Sequence, residues 1–299
     1  MPTFGVARLY GKDMNVLLQN LKTNSVEAYE IGFAYGVDEN LPEETVKLAD
    51  TLGIRLSGHI PFFISWMDQE KKLNSIKHLV KGMSFAAKLQ TIAVCHLGYY
   101  GGKSFQELRS EIIKGIREAL AKVTERSYLI SGPVIGLETT GKKNEIGTLD
   151  EILSIVNALS IDVAIPVIDW AHLFARSNGQ FPLKTDDFLK TLYRLEKETS
   201  LKKFYFHASG IEYKDGSEKK HQSAKSCQPP LPYLFSALNK AGYDYTLIVE
   251  SPEAIADLTW LKEVARNPEA WFTFAQKQLG TALQEKLKGA SSQQIKLSF

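Results

Sequence analysis

Cysteine is almost missing from the chain: Cys95 and Cys227 are the two in 299 residues, and neither sits in a CxxC pair. That excludes a disulfide framework and a thiolate zinc finger, and it suits a reducing compartment. No window approaches the eighteen or so apolar residues of a membrane span. The opening MPTFGVARLY has no basic segment leading into an apolar one, so a cytoplasmic protein with no membrane partner is expected. Charge of one sign is also missing. With 36 Lys and Arg against 34 Asp and Glu, the formal net charge is +2, and an anionic partner would have to meet a local basic face. There is no GxSxG elbow, no P-loop, and no nucleophilic Cys beside a His–Asn pair, which disfavours covalent acyl transfer and nucleotide hydrolysis. Internal repeats, low-complexity tracts and Gly/Ser linkers are absent too. Residues 1–290 are therefore expected to form a single domain that includes C-terminal helices, with 291–299 as a disordered tail.

What the chain does have is alternation of two periodicities. Short apolar or alternating runs recur at 4–7, 26–31, 54–59, 91–96, 134–138, 163–169, 203–207 and 245–250. Helix punctuation lies between them: Pro42 at a start and Gly53 at an end, capping boxes at Ser104–Glu107 and Thr148–Glu151, and Ser251-Pro252 opening the last helix of the alternating pattern. Two further helices are expected after Glu250, at 254–265 and 269–288. Eight βα units in about 250 residues predict an α/β fold, a (β/α)8 TIM barrel with a C-terminal helical extension. An open doubly wound sheet is the alternative, but no Gly-rich phosphate turn follows the first strand.

In such a barrel the residues that close each strand gather at one mouth. His59 closes RLSGH, His96 closes IAVCH, Glu138 closes VIGLE, Asp169 closes IPVID, His207 closes FYFH and Glu250 closes LIVE. His172 and His221 lie in the loops just beyond, so five of the six histidines fall at this end. Strand alternation puts His207 on the face of Tyr205, opposite Phe204 and Phe206, and so turns it inward. Any one histidine at a strand end is more often a hydrogen-bonded rim residue than a ligand. Eight imidazoles and carboxylates converging on one mouth would instead repel and desolvate one another unless cations compensated, and this donor mixture suits Zn²⁺, Mn²⁺ or Fe²⁺. His78, on the helical run SIKHLVKGM, serves as the structural control. A carboxylate such as Glu138 can bridge two cations about 3.5–4 Å apart, an arrangement suited to phosphate-ester hydrolysis.

The motifs HIPFFISW, VCHLGYYGG, GLETTG, VIDWAHLF, FHASGIEY and IVESP, in this order over residues 4 to 252, resemble the endonuclease IV family of apurinic/apyrimidinic endonucleases, within the xylose-isomerase-like barrels. The resemblance implies a Zn²⁺-dependent barrel enzyme, with Mn²⁺ an alternative, that cuts DNA 5′ to an abasic site. It implies one metal at His59, His96 and Glu138, and a second at Glu138, Asp169, His207 and Glu250, with Glu138 and Glu250 as the catalytic carboxylates. A third would use His172 and His221, but where the family has an Asp-x-His pair this chain reads EKKH, with Lys219 in the aspartate's place. Asp215 and Glu218 are the nearby acids that could substitute, and the count is left at two or three. For double-stranded DNA, Phe62 and Phe63 match the family's wedge, while GFAYGVDEN has no arginine matching its second one. Lys214, Lys219, Lys220 and Lys225, expected in a long loop after the seventh strand, and Tyr99 and Tyr100 are candidates to follow a phosphate backbone. The tail QQIKLSF faintly resembles a sliding-clamp-binding peptide with an imperfect register, and a plain disordered terminus is the simpler reading. A monomer is expected.

Two other readings share these residues. A xylose-isomerase-like sugar isomerase or epimerase would use Glu138, Asp169, His207 and Glu250 around a single metal, without needing the remaining histidines as ligands. A catalytically idle DNA-binding adaptor is supported by the altered Asp-x-His position alone.

Overall fold

The computed structural model describes residues 1–7, 13–33, 40–125 and 132–282. Eight parallel strands close into a barrel: β1 (Thr3–Ala7), β2 (Ala28–Gly32), β3 (Arg55–His59), β4 (Ala93–Cys95), β5 (Ile135–Glu138), β6 (Ala164–Asp169), β7 (Lys203–Ala208) and, after a hairpin, β10 (Asp244–Val249). β1 pairs with both β2 and β10, so the sheet has no free edge. Each strand lies within one to three residues of the run that predicted it. β4 is the shortest, because pairing ends at Cys95 and His96 already belongs to the following loop.

The strands are buried on both faces, as a helix-wrapped parallel sheet requires. Inward positions carry Ala7, Ala28, Val94, Val167, Tyr205 and Ile248, which fill the barrel interior. Outward positions such as Phe4, Phe204, Phe206 and Leu247 pack beneath the surrounding helices in a much larger core. At Gly136 there is no room for a side chain, since a Cβ would lie 2.6 Å from Val167 inside the barrel.

The expected helix signals act as capping devices. Gly53 ends the helix Glu43–Leu52 at φ 68°, and Thr148 with Glu151 forms the reciprocal capping box of Leu149–Leu159. Ser104 and Glu107 exchange the same pair of bonds at the start of Phe105–Glu125. The helix after β10, expected at 254–265, runs Ala254–Arg266, and residues 268–271 form a 3-10 turn that leads into helical 272–282. The remainder of the predicted terminal helix and the tail 291–299 lie outside the described residues.

A hairpin corrects the sequence expectation of a long seventh loop. β8 (Gly210–Lys214) and β9 (Ser217–Gln222) pair antiparallel across Asp215-Gly216, with a bulge between Glu212 and Tyr213. Asp215 (φ 53°) and Gly216 (φ 74°) both adopt the left-handed conformation that a two-residue hairpin turn demands. The hairpin packs on the helix Trp170–Arg176, so that His172 stands on a helix and His221 on a strand where loops were expected for both.

Candidate metal centre

Glu138 is the centre of the mouth. Its side chain is fully buried, and four imidazoles surround it: His59 Nε2 (3.1 Å) and His96 Nε2 (2.8 Å) face Oε2, while His172 Nδ1 (3.3 Å) and His207 Nδ1 (3.1 Å) face Oε1. Burial alone would raise the Glu138 carboxyl, but His96, His207 and His172 outweigh it and hold it well below the usual carboxylate range. The same attraction acts in reverse on the histidines. Burial opposes the charge on His96, His172 and His207, yet Glu138 raises His96, Asp169 and Glu218 raise His172, and Glu30, Glu250 and Glu138 raise His207.

Most ligand candidates stand at or just beyond a barrel-strand end, with His172 on the following helix and His221 on the hairpin. His59 donates Nδ1–H to the Ile60 carbonyl at 3.0 Å, which leaves Nε2 to face Glu138. Asp169 ends β6 and also caps the next helix, with Oδ1 accepting the His172 backbone N–H at 2.8 Å. That cap fixes the carboxylate so that Oδ2 points into the site, where it is buried without a hydrogen-bond partner. His172 gives Nδ1–H to the Thr139 carbonyl at 2.8 Å, and its Nε2 lies 2.9 Å from Glu218 Oε2. Gly141 of the GLETTG motif makes that approach feasible: a Cβ there would lie 2.2 Å from Glu218 and 2.9 Å from His172.

The structure brings all eight sequence-selected groups together. His59, His96 and Glu138 have ligand atoms within 4.8 Å of one another; so do Glu138, Asp169, His207 and Glu250, and so do Asp169, His172 and His221. The first two groups share Glu138 and the last two share Asp169. This donor set fits divalent cations on the structure's own terms. A buried carboxylate oxygen lacks a hydrogen bond, and His96 Nε2 sits 2.8 Å from Glu138 Oε2 without hydrogen-bond geometry, as two ligands aimed at a common ion would. His78 is half-buried on the helix Gln69–Leu89 and belongs to none of these groups.

Of the two nearby acids, Glu218 rather than Asp215 comes close to His172. Asp215 sits exposed at the hairpin tip, Lys219 is exposed, and Glu218 turns inward to His172 while its other oxygen lies 3.5 Å from Lys142. Sequence reasoning missed one residue altogether. Glu30 on β2 is fully buried and contacts His207 Nε2 at 3.1 Å and the Tyr205 hydroxyl at 2.7 Å. Its position two residues beyond inward-facing Ala28 was the available signal.

Around the mouth, Phe62 and Phe63 follow β3 and are 57% and 56% exposed, with ring centroids 4.4 Å apart. Tyr99 is 37% exposed and bridges by backbone to Glu145, and Tyr100 donates its hydroxyl to Glu151. Lys219 and Lys220 lie on the exposed side of β9, where Lys220 pairs with Glu212 at 3.3 Å. The segment that would carry a second wedge, 34–39, is outside the described residues. Among the described residues no helix is long and apolar enough to cross a membrane.

Residues 18–270 match the family model described as xylose isomerase-like TIM barrel. An uncharacterised protein of Methanocaldococcus jannaschii is 29% identical over 239 residues, covering 78% of this chain and 84% of its own length. Among solved structures, endonuclease IV from Thermus thermophilus aligns with a TM-score of 0.63 at 18% identity, covering 90% of this chain and 99% of that one. The 3-keto-D-glucoside 4-epimerase of E. coli aligns equally well, with a TM-score of 0.63 at 14% identity, covering 88% and 100%. At these identities the two likenesses establish the fold alone.

Proposed function

The chain belongs to the xylose isomerase-like TIM barrel family, and on that footing we propose that it is a metal-dependent endonuclease that cleaves the DNA phosphodiester 5′ to abasic sites. The observation that carries this reading is Glu138, fully buried with His59 and His96 on one oxygen and His207 and His172 on the other. A single-metal sugar site needs no such two-sided carboxylate. His59, His96 and Glu138 would hold one divalent cation; Glu138, Asp169, His207 and Glu250 a second; His172 and His221, with Asp169 and Glu218 as acids, a third. Zn²⁺ or Mn²⁺ suits these donors, and bound there the ions would supply water activation and charge neutralisation at the scissile phosphate.

The chain's own residues do the rest. Glu138 and Glu250 supply fixed negative charge at the floor of the mouth. The exposed Phe62–Phe63 pair would wedge between bases beside the lesion, and Tyr99, Lys219 and Lys220 would meet the phosphate backbone. The test is incubation with a duplex carrying one abasic analogue: incision 5′ to the lesion, abolished by chelator and by Glu250→Gln, supports the proposal, and intact duplex with every divalent metal tried refutes it.

One observation favours a second reading. Glu138, Asp169, His207 and Glu250 form a complete, buried four-ligand group by themselves, which is all that a single-metal isomerase or epimerase requires. Turnover of ketose sugars with one metal per chain would establish that reading.

A further inference from the structure

Glu30 belongs to none of the ligand sets above, yet it is the buried acid of β2 and reaches across the barrel to β7. Its Oε2 accepts from the Tyr205 hydroxyl at 2.7 Å and lies 3.1 Å from His207 Nε2. The Tyr205 oxygen is in turn 2.8 Å from Ser57 Oγ, so the carboxylate is anchored from beneath. The other nitrogen of His207, Nδ1, faces Glu138 Oε1 at 3.1 Å and Glu250 Oε1 at 3.6 Å.

We propose that Glu30 is a positioning residue that accepts the Nε2–H of His207 and so presents Nδ1 as the metal-binding nitrogen. The inference rests on the metal-dependent reading of this mouth. A neutral imidazole has one lone pair to offer, and a carboxylate 3.1 Å from Nε2 attracts a proton there and repels a lone pair. The lone pair is thereby directed to the side where Glu138 and Glu250 converge. A carboxylate behind a ligating histidine also raises its basicity, and losing such a partner typically weakens metal binding about 10–100-fold.

A competing geometry exists on the same residues. Glu30, His59, His207 and Glu250 have ligand atoms within 4.8 Å of one another, and Glu30 Oε1 is buried without a hydrogen-bond partner. Direct ligation that used Glu30 Oε2 and His207 Nε2 together would surrender the bond between them. The Tyr205 hydroxyl, which holds Oε2 on the His207 side, opposes that rearrangement.

The test is ¹⁵N-histidine NMR of the Zn²⁺-loaded protein together with chelator-competition titrations of the wild type, Glu30→Gln and Tyr205→Phe. The expected result is zinc on Nδ1 and a proton on Nε2 of His207. Glu30→Gln should keep the zinc count while one equivalent binds about 10–100-fold more weakly, and Tyr205→Phe should shift affinity less, in the same direction. Zinc on Nε2, or loss of a whole equivalent in Glu30→Gln, overturns the proposal in favour of direct ligation. Equal affinity in wild type and Glu30→Gln overturns it outright while leaving the metal reading intact, whereas a wild type that takes up no zinc sinks both. Should Glu30→Gln fail to fold, the His207 spectrum of the wild type still decides between the two nitrogens.

Discussion

Replacing Glu138 by Gln removes one charge and almost no volume, and the geometry of the mouth dictates the consequence. Oε1 and Oε2 each face two imidazole nitrogens within 3.3 Å, so the neutral amide would leave four buried imidazoles without the negative charge that they surround. Breaking a buried ion pair from one side costs about 3–5 kcal/mol. His96 and His207 owe part of their raised proton affinity to Glu138 and can shed their protons once it is gone, which places the metal-free variant near the lower end, about 3 kcal/mol. At roughly 2–4 °C per kcal/mol for chains approaching this size, the metal-free variant should melt about 6–12 °C below the wild type. Metal capacity should fall further than stability. Glu138 is common to both of the proposed sites built on His59–His96 and on Asp169–His207–Glu250, so metal uptake should fall by at least one equivalent, and incision by at least about 10³-fold, or about 4 kcal/mol of barrier. Calorimetry and metal analysis of the same preparations provide the assay. A variant that binds the same number of metals with affinity within threefold of wild type would refute the bridging role.

Phe62→Ala and Phe63→Ala, at exposed positions, should leave melting within about 0.5 kcal/mol of wild type and weaken binding to a lesion-bearing duplex by about 1–3 kcal/mol per ring; calorimetry checks the first and fluorescence anisotropy the second. The Lys219→Gln/Lys220→Gln pair should lower the slope of log affinity against log salt by about two, with catalysis at saturating DNA unchanged. Metal dependence of stability should vary with pH in a fixed sense. His172 and His207 are raised from 6.5, so their contribution to the metal-free protein is complete below that pH and is lost as pH climbs through their folded values. Glu138 is lowered from 4.5, so its contribution holds above that pH and fades as pH falls through its folded value. Chelation should therefore destabilise the protein more at pH 9 than at pH 6, and zinc uptake at pH 7 should release protons, measurable in buffers of different ionisation enthalpy.

The strand ends were legible because inward residues on a parallel barrel must terminate at the mouth, so a histidine or acid closing an apolar run has one destination. Asp169 and His207 illustrate it: they pair in register on neighbouring strands, and alternation had already turned His207 inward. Glu30 was not legible on the same grounds, since it lies inside AYEIG rather than closing an apolar run, and its alternation with Ala28 was the single cue. The hairpin was missed although Asp215-Gly216 is a strong two-residue turn signal, because polar Ser217–Gln222 has no apolar alternation to mark a strand. Glu218 follows from that omission: the bulge between Glu212 and Tyr213 sets which side chain turns toward His172, and a bulge leaves no trace in periodicity.

The most direct test of the account is the number of divalent ions per chain in protein purified without added metal, counted by elemental analysis against quantitative amino-acid analysis. Two or three ions per chain, falling when His59 or His96 is replaced, is the expected result. A single ion that survives loss of both histidines would contradict it.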